Sequence, residues 1–276
     1  LRVDALGINC GMGPEQMMPV LEEYVKYSSL PIIVKPNAGL PKQKDGRTYY
    51  DVSPEDFAGY MERIVSMGAC VIGGCCGTTP EHISAAVQRC RGMKITEPEE
   101  KDYTIISSYG QSVLLGEGSK IIGERINPTG KKKFKQALKE HDLDYILREG
   151  ITQQDNGAHI LDVNVGLPDI DEPAMMKETV QELQSVVNLP LQIDTVDAEA
   201  MEQALRIYNG KAMVNSVSGK QESMDKVFPL IQKYGGVVIG LVLDEDGIPS
   251  DADGRVRIAE KIIAEAAKYG IRKRDI

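Results

Sequence analysis

Short apolar runs alternate with amphipathic stretches along most of this chain, and the alternation predicts its elements. In the first ninety residues we predict strands at 4–9, 31–35 and 69–74. Helices are predicted at 14–28, 53–67 and 79–90, each with proline near its first turn. A long polar loop is expected over 36–52. Strand and helix in this rhythm indicate βαβ units and a parallel sheet.

A second series of the same kind begins near residue 118. Its predicted strands lie at 120–124, 159–164, 189–195, 211–217 and 236–243, and its last helix at 251–269. Residues 92–117 break the rhythm and predict a linker with at most a hairpin. A closed barrel needs eight βα units, so three plus five units could form one barrel, but so long an internal linker would be unusual.

The predicted fold is therefore α/β, with parts of two neighbouring TIM (β/α)8 barrels. Residues 1–91 are expected to be the C-terminal part of one barrel, and residues 118–276 the N-terminal part of the next. On this interpretation the chain is a piece cut from two barrels that continue beyond it.

Composition narrows the class of protein. A net charge of −9 over 276 residues argues against a broad nucleic-acid surface. No apolar run approaches the roughly 20 residues that span a bilayer, so no membrane partner is expected. The dense basic run Lys131-Lys132-Lys133 is either a solvated loop or a contact for an anionic ligand tail. Five cysteines without framework spacing favour a reducing compartment, which we take to be the cytoplasm.

Thiols gather where the first three predicted strands end. The third strand runs into Cys75 and Cys76, and the first two into Cys10 and Asn37. Adjacent cysteines rarely form a disulfide, because the bridge needs Cα atoms roughly 4.4–6.8 Å apart. Three thiolates with an open fourth position are typical of catalytic zinc, whereas a structural site is closed by four protein ligands.

Cysteine and asparagine also have common structural roles. A buried cysteine is most often a small apolar side chain, and Cys70 and Cys90 are predicted to be that. Asn37 is either an exchangeable fourth ligand, a substrate contact or a turn residue.

Carboxylates and amides, not thiols, follow the strands of the second series. They are Glu124, Asn127, Asp162, Asn164, Asp194 and Asn215. Such a ring suits a polar heterocycle, because a carboxylate accepts two parallel N–H bonds and asparagine both donates and accepts. Single members could instead be turn residues, and metal binding is a weaker alternative because the amides match a neutral ligand better.

The thiol motifs carry a family resemblance. The sequence G-G-C-C-G-T-T-P at 73–80, with G-I-N-C at 7–10 and P-N-A-G-L at 36–40, resembles the homocysteine-binding module of zinc thiol methyltransferases. The resemblance covers residues 1 to about 91. It implies that Cys10, Cys75 and Cys76 bind zinc, and that the zinc activates homocysteine.

The second series resembles the pterin-binding family, which includes dihydropteroate synthases and methyltetrahydrofolate methyltransferases. The motifs G-E-R-I-N-P-T-G at 123–130 and D-V-N-V-G at 162–166 are similar to the methyltransferase branch. The resemblance implies that four residues line the pterin site: Asp162, Asn164, Asp194 and Asn215. Glu124 and Asn127 match by motif position only.

Both modules in this order resemble the family of cobalamin-dependent methionine synthases. The resemblance implies a methyltransferase that uses zinc and cobalamin, moves a methyl group from 5-methyltetrahydrofolate to homocysteine, and forms methionine and tetrahydrofolate. The cobalamin would come from a downstream module or a partner. Two alternatives stay open: a structural-zinc module that binds folate without catalysis, and a dihydropteroate synthase-like enzyme.

Overall fold

The computed structural model describes residues 3–276, which form two compact units that divide between Asp102 and Tyr103. The fold is α/β, and each unit is described by itself below. None of the described helices is both long and apolar enough to cross a membrane.

The first unit is a parallel three-stranded sheet with helices. Its elements are β1 (Leu6–Asn9), α1 (Pro14–Tyr27), β2 (Ile32–Lys35), β3 (Lys42–Lys44), β4 (Arg47–Tyr49), α2 (Pro54–Ser66), β5 (Ala69–Ile72) and α3 (Pro80–Cys90). The parallel strands lie in the order β1-β2-β5. Asn9 pairs with Lys35, and Val34 with Ile72, so all three strands end at one edge of the sheet.

Helix α2 shows how local signals fix the elements of this unit. The Ser53 side chain accepts a hydrogen bond from the Asp56 N–H, and proline follows at the first helical position. Phe57, Met61 and Ile64 then repeat at helical spacing and are fully buried in the core. Burying each such side chain stabilises the fold by about 1.5–3 kcal/mol.

One sequence expectation of this unit needs correction. The stretch 36–52 is not loop throughout, because β3 and β4 pair in it as an antiparallel hairpin. Asp45 and Gly46 form the turn, with φ of 51° and 73°. Asp-Gly is the favoured pair for a two-residue hairpin turn with positive φ at both positions, so the signal was present beneath the polar composition.

The second unit is a five-stranded parallel sheet with helices, preceded by a hairpin. The hairpin consists of β6 (Thr104–Ser107) and β7 (Ser112–Leu115). The remaining elements are β8 (Ile122–Ile126), α4 (Lys132–Glu140), α5 (Leu143–Asp155), β9 (Ile160–Val163), α6 (Glu172–Val186), β10 (Leu191–Asp194), α7 (Ala198–Ile207), β11 (Met213–Ser218), α8 (Gln221–Tyr234), β12 (Val237–Leu241) and α9 (Ala252–Lys268). A 3-10 turn, Lys273–Asp275, follows.

The strand order identifies this sheet as barrel wall. The strands lie side by side in chain order from β8 to β12, and every pair is parallel. A doubly wound sheet would instead reverse its order at a switch point. Apolar side chains of the strands, such as Leu161, Ile193 and Val214, join the helices in one buried core, and polar side chains alternate with them.

The hairpin β6–β7 packs at the amino ends of these strands. Ile106 and Val113 form a cluster with Ile160, Met213 and Val237, which begin or lie near the beginning of β9, β11 and β12. The Ser107 N–H also donates to the carbonyl of Lys211, at 2.9 Å. The amino end is therefore covered, and the carboxyl end is left to present the polar residues.

Candidate functional sites

Three thiols meet at the carboxyl edge of the first sheet. The Sγ atoms of Cys10, Cys75 and Cys76 all lie within 4.8 Å of one another. Cys10 and Cys76 are 3.6 Å apart at sulfur, and Cys75 and Cys76 are 3.9 Å apart. None of the chain's five cysteines, all of them described, forms a disulfide.

Backbone hydrogen bonds between the loops hold these thiols together. The Cys10 N–H donates to the carbonyl of Lys35 at 3.0 Å, and Cys10 takes a left-handed conformation with φ of 64°. The Cys75 N–H donates to Pro36 at 2.8 Å, and the Ala38 N–H donates to Cys76 at 2.9 Å. The end of β2 and the loop after it are thus joined to both cysteine-bearing loops, which fixes the backbone positions of the three cysteines.

Asn37 lies buried beside the thiols. Its Oδ1 accepts a hydrogen bond from the Cys76 N–H at 3.1 Å, and its side chain helps to lower the pKa of the Cys10 thiol. A carbonyl oxygen has two lone pairs, so one remains beyond the bond to Cys76. The geometry is compatible with an organising role for this amide and with an exchangeable metal contact.

A supporting layer that the sequence reasoning missed surrounds the cysteine turn. The Tyr50 ring lies so close to Gly77, whose φ is +80°, that a Cβ there would stand 2.4 Å from it. His82 contacts the Thr79 hydroxyl at 2.9 Å through Nδ1 and the Val52 carbonyl at 2.9 Å through Nε2. Histidine three residues after the cap Thr79 was the available signal, because that spacing matches a capping box.

The donor set fits a zinc ion. Four sulfurs at about 2.3 Å around a tetrahedral zinc would be separated by about 3.8 Å. The Cys10–Cys76 and Cys75–Cys76 separations of 3.6 and 3.9 Å match two edges of that tetrahedron, and the third pair of sulfurs lies within 4.8 Å. The three thiols would supply three corners and leave the fourth for an exchangeable ligand.

The thiols perturb one another's protonation. Hydrogen bonds from the Gly11 backbone, and from the Cys75 and Cys76 side chains, lower the pKa of Cys10. The bond to Cys10, together with desolvation, raises the pKa of Cys75. Placing several negative charges this close is costly without a cation, and a divalent metal relieves that cost. Cys70 and Cys90 have other surroundings: Cys70 contacts the Gly68 carbonyl, and Cys90 packs against the core.

The predicted pterin residues converge at the carboxyl end of the second sheet. Asp162 is 2% exposed and accepts from Gln192 Nε2 on one oxygen and from Asn127 Nδ2, at 3.5 Å, on the other. Asn127 in turn accepts from the Thr129 N–H at 2.9 Å. Gln192 was not predicted, although it lies two residues before Asp194 on the same face of the strand.

Asn164 and Asp194 form a second pair above that layer. Asn164 Nδ2 donates to Asp194 Oδ2 at 3.0 Å, and its Oδ1 accepts from the Gly166 N–H at 2.9 Å. Both residues line a mouth cavity of about 620 Å³. Only one of the carboxylate oxygens of Asp194 is engaged by this pair, so the other is available to a ligand.

Asn215 and Glu124 complete the set from the neighbouring strands. Asn215 pairs in register with Asp194, and its side chain makes no hydrogen bond within residues 3–276. Glu124 is exposed on β8, yet its charge reaches both Asp162 and Asp194. The structure thus brings all six predicted residues to one end of the sheet.

Burial shifts the pKa values of the carboxyl groups at this end of the sheet. It raises the pKa of Asp162 to about 6, opposed by the hydrogen bond from Gln192 and assisted by the charge of Asp194. Burial also raises the pKa of Asp194, opposed by Asn164 and assisted by Glu124. Burial therefore disfavours the ionised forms of Asp162 and Asp194. A ligand with several N–H donors would stabilise their negative charge.

The family matches agree with both sites. The chain belongs to the family of pterin-binding enzymes, whose profile matches residues 123–276, more than half of it. The profile of the homocysteine S-methyltransferase family matches residues 1–90.

Two curated relatives extend over both parts. The chain is similar to methionine synthase of Mycobacterium leprae, with 31% identity over 99% of this chain and 24% of that protein. It is 30% identical to methionine synthase of Mycobacterium tuberculosis, over 95% of this chain and 23% of that protein. The chain therefore spans about a quarter of the length of these relatives.

Solved structures similar to this one include dihydropteroate synthases. That of Xanthomonas albilineans, in complex with indole-2-carboxylic acid and 6-chloroguanine, aligns with a TM-score of 0.48 and 19% identity, covering 63% of each chain. That of Vibrio fischeri ES114 aligns with a TM-score of 0.44 and 18% identity, covering 62% of this chain and 64% of the other.

Proposed function

We propose that this chain supplies two sites of a cobalamin-dependent methionine synthase, one for homocysteine and one for 5-methyltetrahydrofolate. The observation that carries the proposal is the triangle of sulfurs, whose edges of 3.6 and 3.9 Å fit three corners of a tetrahedral zinc site. In this proposal residues 1–91 and 118–276 are the two modules, and the connection 92–117 between them carries the hairpin β6–β7, which packs on the second module. The compartment we propose is the cytoplasm, which suits five free cysteines.

In the first module, Cys10, Cys75 and Cys76 would hold zinc, with Asn37 beside the fourth position. Bound zinc would supply the positive charge that keeps a coordinated homocysteine thiol deprotonated at neutral pH. The chain's own residues set the shape of the site. The loop contacts hold the three sulfurs apart at the spacing the ion needs, and the Cys76 N–H holds the Asn37 amide next to them.

In the second module, Asp194 and Asn215 would bind the pterin ring directly. The free oxygen of Asp194 suits an N–H of the amino-pyrimidine edge, and the unengaged Asn215 amide can both donate and accept. Asp162 has both oxygens engaged, so it would act by holding Asn127 and the buried layer in place. Release of the methyl group also requires a proton at N5 of the pterin, because the departing nitrogen is otherwise a poor leaving group.

The methyl carrier is proposed only from the similarity of this chain to methionine synthases. Cobalamin would be held by a module downstream or by a partner, and we assign none of its contacts to this chain.

Two half-reactions with free cobalamin test this proposal. The zinc-loaded protein is mixed with free methylcobalamin and homocysteine, and methionine is measured. Separately, it is mixed with 5-methyltetrahydrofolate and cob(I)alamin, and methylcobalamin is followed by its absorbance. We expect both reactions, with Cys76→Ser abolishing the first alone and Asp194→Asn slowing the second alone.

The outcomes separate the alternatives. Binding of a tetrahydropterin without either methyl transfer would favour a folate-binding module with structural zinc. Condensation of a dihydropterin pyrophosphate with p-aminobenzoate would favour a dihydropteroate synthase-like enzyme. Either result would overturn the proposed function.

A further inference from the structure

Two cavities with different chemistry adjoin at the carboxyl end of the second sheet. The mouth cavity, of about 620 Å³, is lined by Asn164 and Asp194. A second cavity of about 210 Å³, which we call the lysine cavity, is lined by Ala198, Met201, Ser216, Lys220, Glu222, Ser223, Lys226 and Val227. Thr195 and Val196 line both, so the two cavities lie on either side of this loop.

Val196 is an apolar contact point held in position at this junction. It is 99% exposed. Its neighbours are tied down on both sides: the Thr195 hydroxyl donates to Glu172, and the Asp197 N–H donates to Thr195 Oγ1 at 3.0 Å. Asp197 also caps α7 by accepting from the Glu199 and Ala200 N–H groups at 2.8 and 2.9 Å. A held loop that presents a bare isopropyl group to solvent offers a ready packing surface for a flat apolar ligand group.

The charges of the two cavities are opposite. Among the residues lining the mouth cavity are four acids, Asp171, Glu172, Asp194 and Asp197, and no lysine or arginine. The lysine cavity has two lysines and one acid. Glu222 is paired with Lys226 at 2.7 Å, whereas Lys220 is exposed and makes no salt bridge within residues 3–276.

The floor of the lysine cavity is apolar. Met201 and Val227 are 1% and 5% exposed, and Ala198 lies beside them. A ligand suited to both cavities would therefore have a polar heterocycle with N–H donors, then a flat apolar group, then a carboxylate.

We propose that the lysine cavity binds the benzoyl-glutamate tail of the folate whose pterin ring occupies the mouth, an inference that rests on the proposed function. The benzoyl ring would pack over Val196, and Lys220 would pair with a carboxylate of the glutamate. The basic run Lys131-Lys132-Lys133 fits this role less well. It lines a separate cleft of about 810 Å³ that shares no lining residue with the mouth cavity.

A comparison of two ligands tests the inference. Affinities of the intact protein for 5-methyltetrahydrofolate and for a tail-free 5-methyl-tetrahydropterin are measured by calorimetry. We expect Lys220→Glu to weaken folate binding about tenfold or more and to leave tetrahydropterin binding unchanged, because only the tail meets the altered charge. Lys177→Glu, at an exposed position on α6, makes the same charge change away from both cavities and controls for net charge.

Each other result overturns the proposal in an identifiable way. If Lys220→Glu weakens both ligands equally, or neither, the tail does not bind there while the pterin site stands. If Lys132→Glu selectively weakens the folate and Lys220→Glu does not, the tail binds in the separate basic cleft. If the unmodified protein binds neither ligand, the proposed function itself fails.

Discussion

At the scale of single residues, the thiol site depends on three sulfurs acting as one ligand set. Removing any one would leave two thiolates, which is too few for the zinc site described here. The other cysteines lie in different environments and provide matched controls within the same chain.

We expect Cys10→Ser to lower bound zinc from about one ion per chain to less than a tenth after dialysis, because an alcohol is a poor zinc ligand at neutral pH. Zinc is measured by inductively coupled plasma mass spectrometry. Cys90→Ser, on α3, is expected to keep its zinc. Equal zinc content in both variants would show that these sulfurs are not the ligands.

Asp162 gives a prediction about pH. Its folded-state pKa of about 6 lies above the ordinary aspartate value of 3.8, so the folded state binds the proton more tightly. Its contribution to stability is therefore present below about pH 4 and is lost as the pH rises to 6. Asp162→Asn removes this loss, because the amide carries no charge. Gln192 can turn its Oε1, which has no hydrogen-bond partner among residues 3–276, toward that amide.

The measurement is urea unfolding of both proteins at pH 4.5 and 7.5. We expect the free energy of unfolding of Asp162→Asn, relative to the original protein, to rise by about 1–3 kcal/mol between the two pH values. Asp253→Asn, at an exposed position on α9, corrects for loss of a surface charge. A difference that stays constant with pH would show that the carboxylate is not perturbed by burial.

At the scale of elements, the turn after β5 needs glycine for two separate reasons. Gly77 has φ of +80°, and an added Cβ would also meet the Tyr50 ring at 2.4 Å. Gly92 has φ of +84° but no atom within 4 Å of such a Cβ. An alanine at Gly92 would therefore suffer backbone strain alone, whereas an alanine at Gly77 would suffer both strain and steric collision.

We expect Gly77→Ala to weaken zinc binding at least tenfold, because moving the Tyr50 ring displaces the turn that carries Cys75 and Cys76. Gly92→Ala should lose a similar amount of stability to backbone strain and keep its zinc affinity. Competition with a chromogenic chelator measures the affinities. Equal affinities in the two variants would contradict the proposed support of the turn.

The hairpin β6–β7 has its own test. Ile106 is fully buried among the residues at the amino ends of the barrel strands. We expect Ile106→Ala to lower the free energy of unfolding in urea by about 2–5 kcal/mol, the usual range when a core isoleucine is replaced by alanine. Ile248→Ala, at a position 71% exposed, should change stability by less than about 0.5 kcal/mol. Equal effects would show that the hairpin does not contribute to the core.

At the scale of the whole molecule, periodicity predicted the eight parallel strands found in residues 3–276, three in the first series and five in the second. These strands could be predicted because each is a short apolar run bounded by turns or helix caps, such as Val237–Leu241 and Ala69–Ile72. The hairpin at Asp45-Gly46 was missed because its strands are exposed and polar, so no apolar run marks them.

For the candidate sites, the sequence indicated the residues at the strand ends but not the residues that support them. Strand ends indicated which side chains would gather, since the carboxyl ends of parallel strands meet at one edge. Contacts across long sequence separations, such as Gln192 with Asp162 or Tyr50 with Gly77, depend on packing that no local pattern encodes. The supporting residues of both sites therefore became visible only in the fold.

The measurement that tests the central claim most directly is proton release when homocysteine binds to the zinc-loaded protein. A weakly buffered solution with a pH indicator reports the protons, and zinc X-ray absorption reports the sulfur count. The account predicts close to one proton released per homocysteine and a change from three sulfur ligands to four, with homoserine producing neither. No proton release together with an unchanged zinc coordination would contradict it.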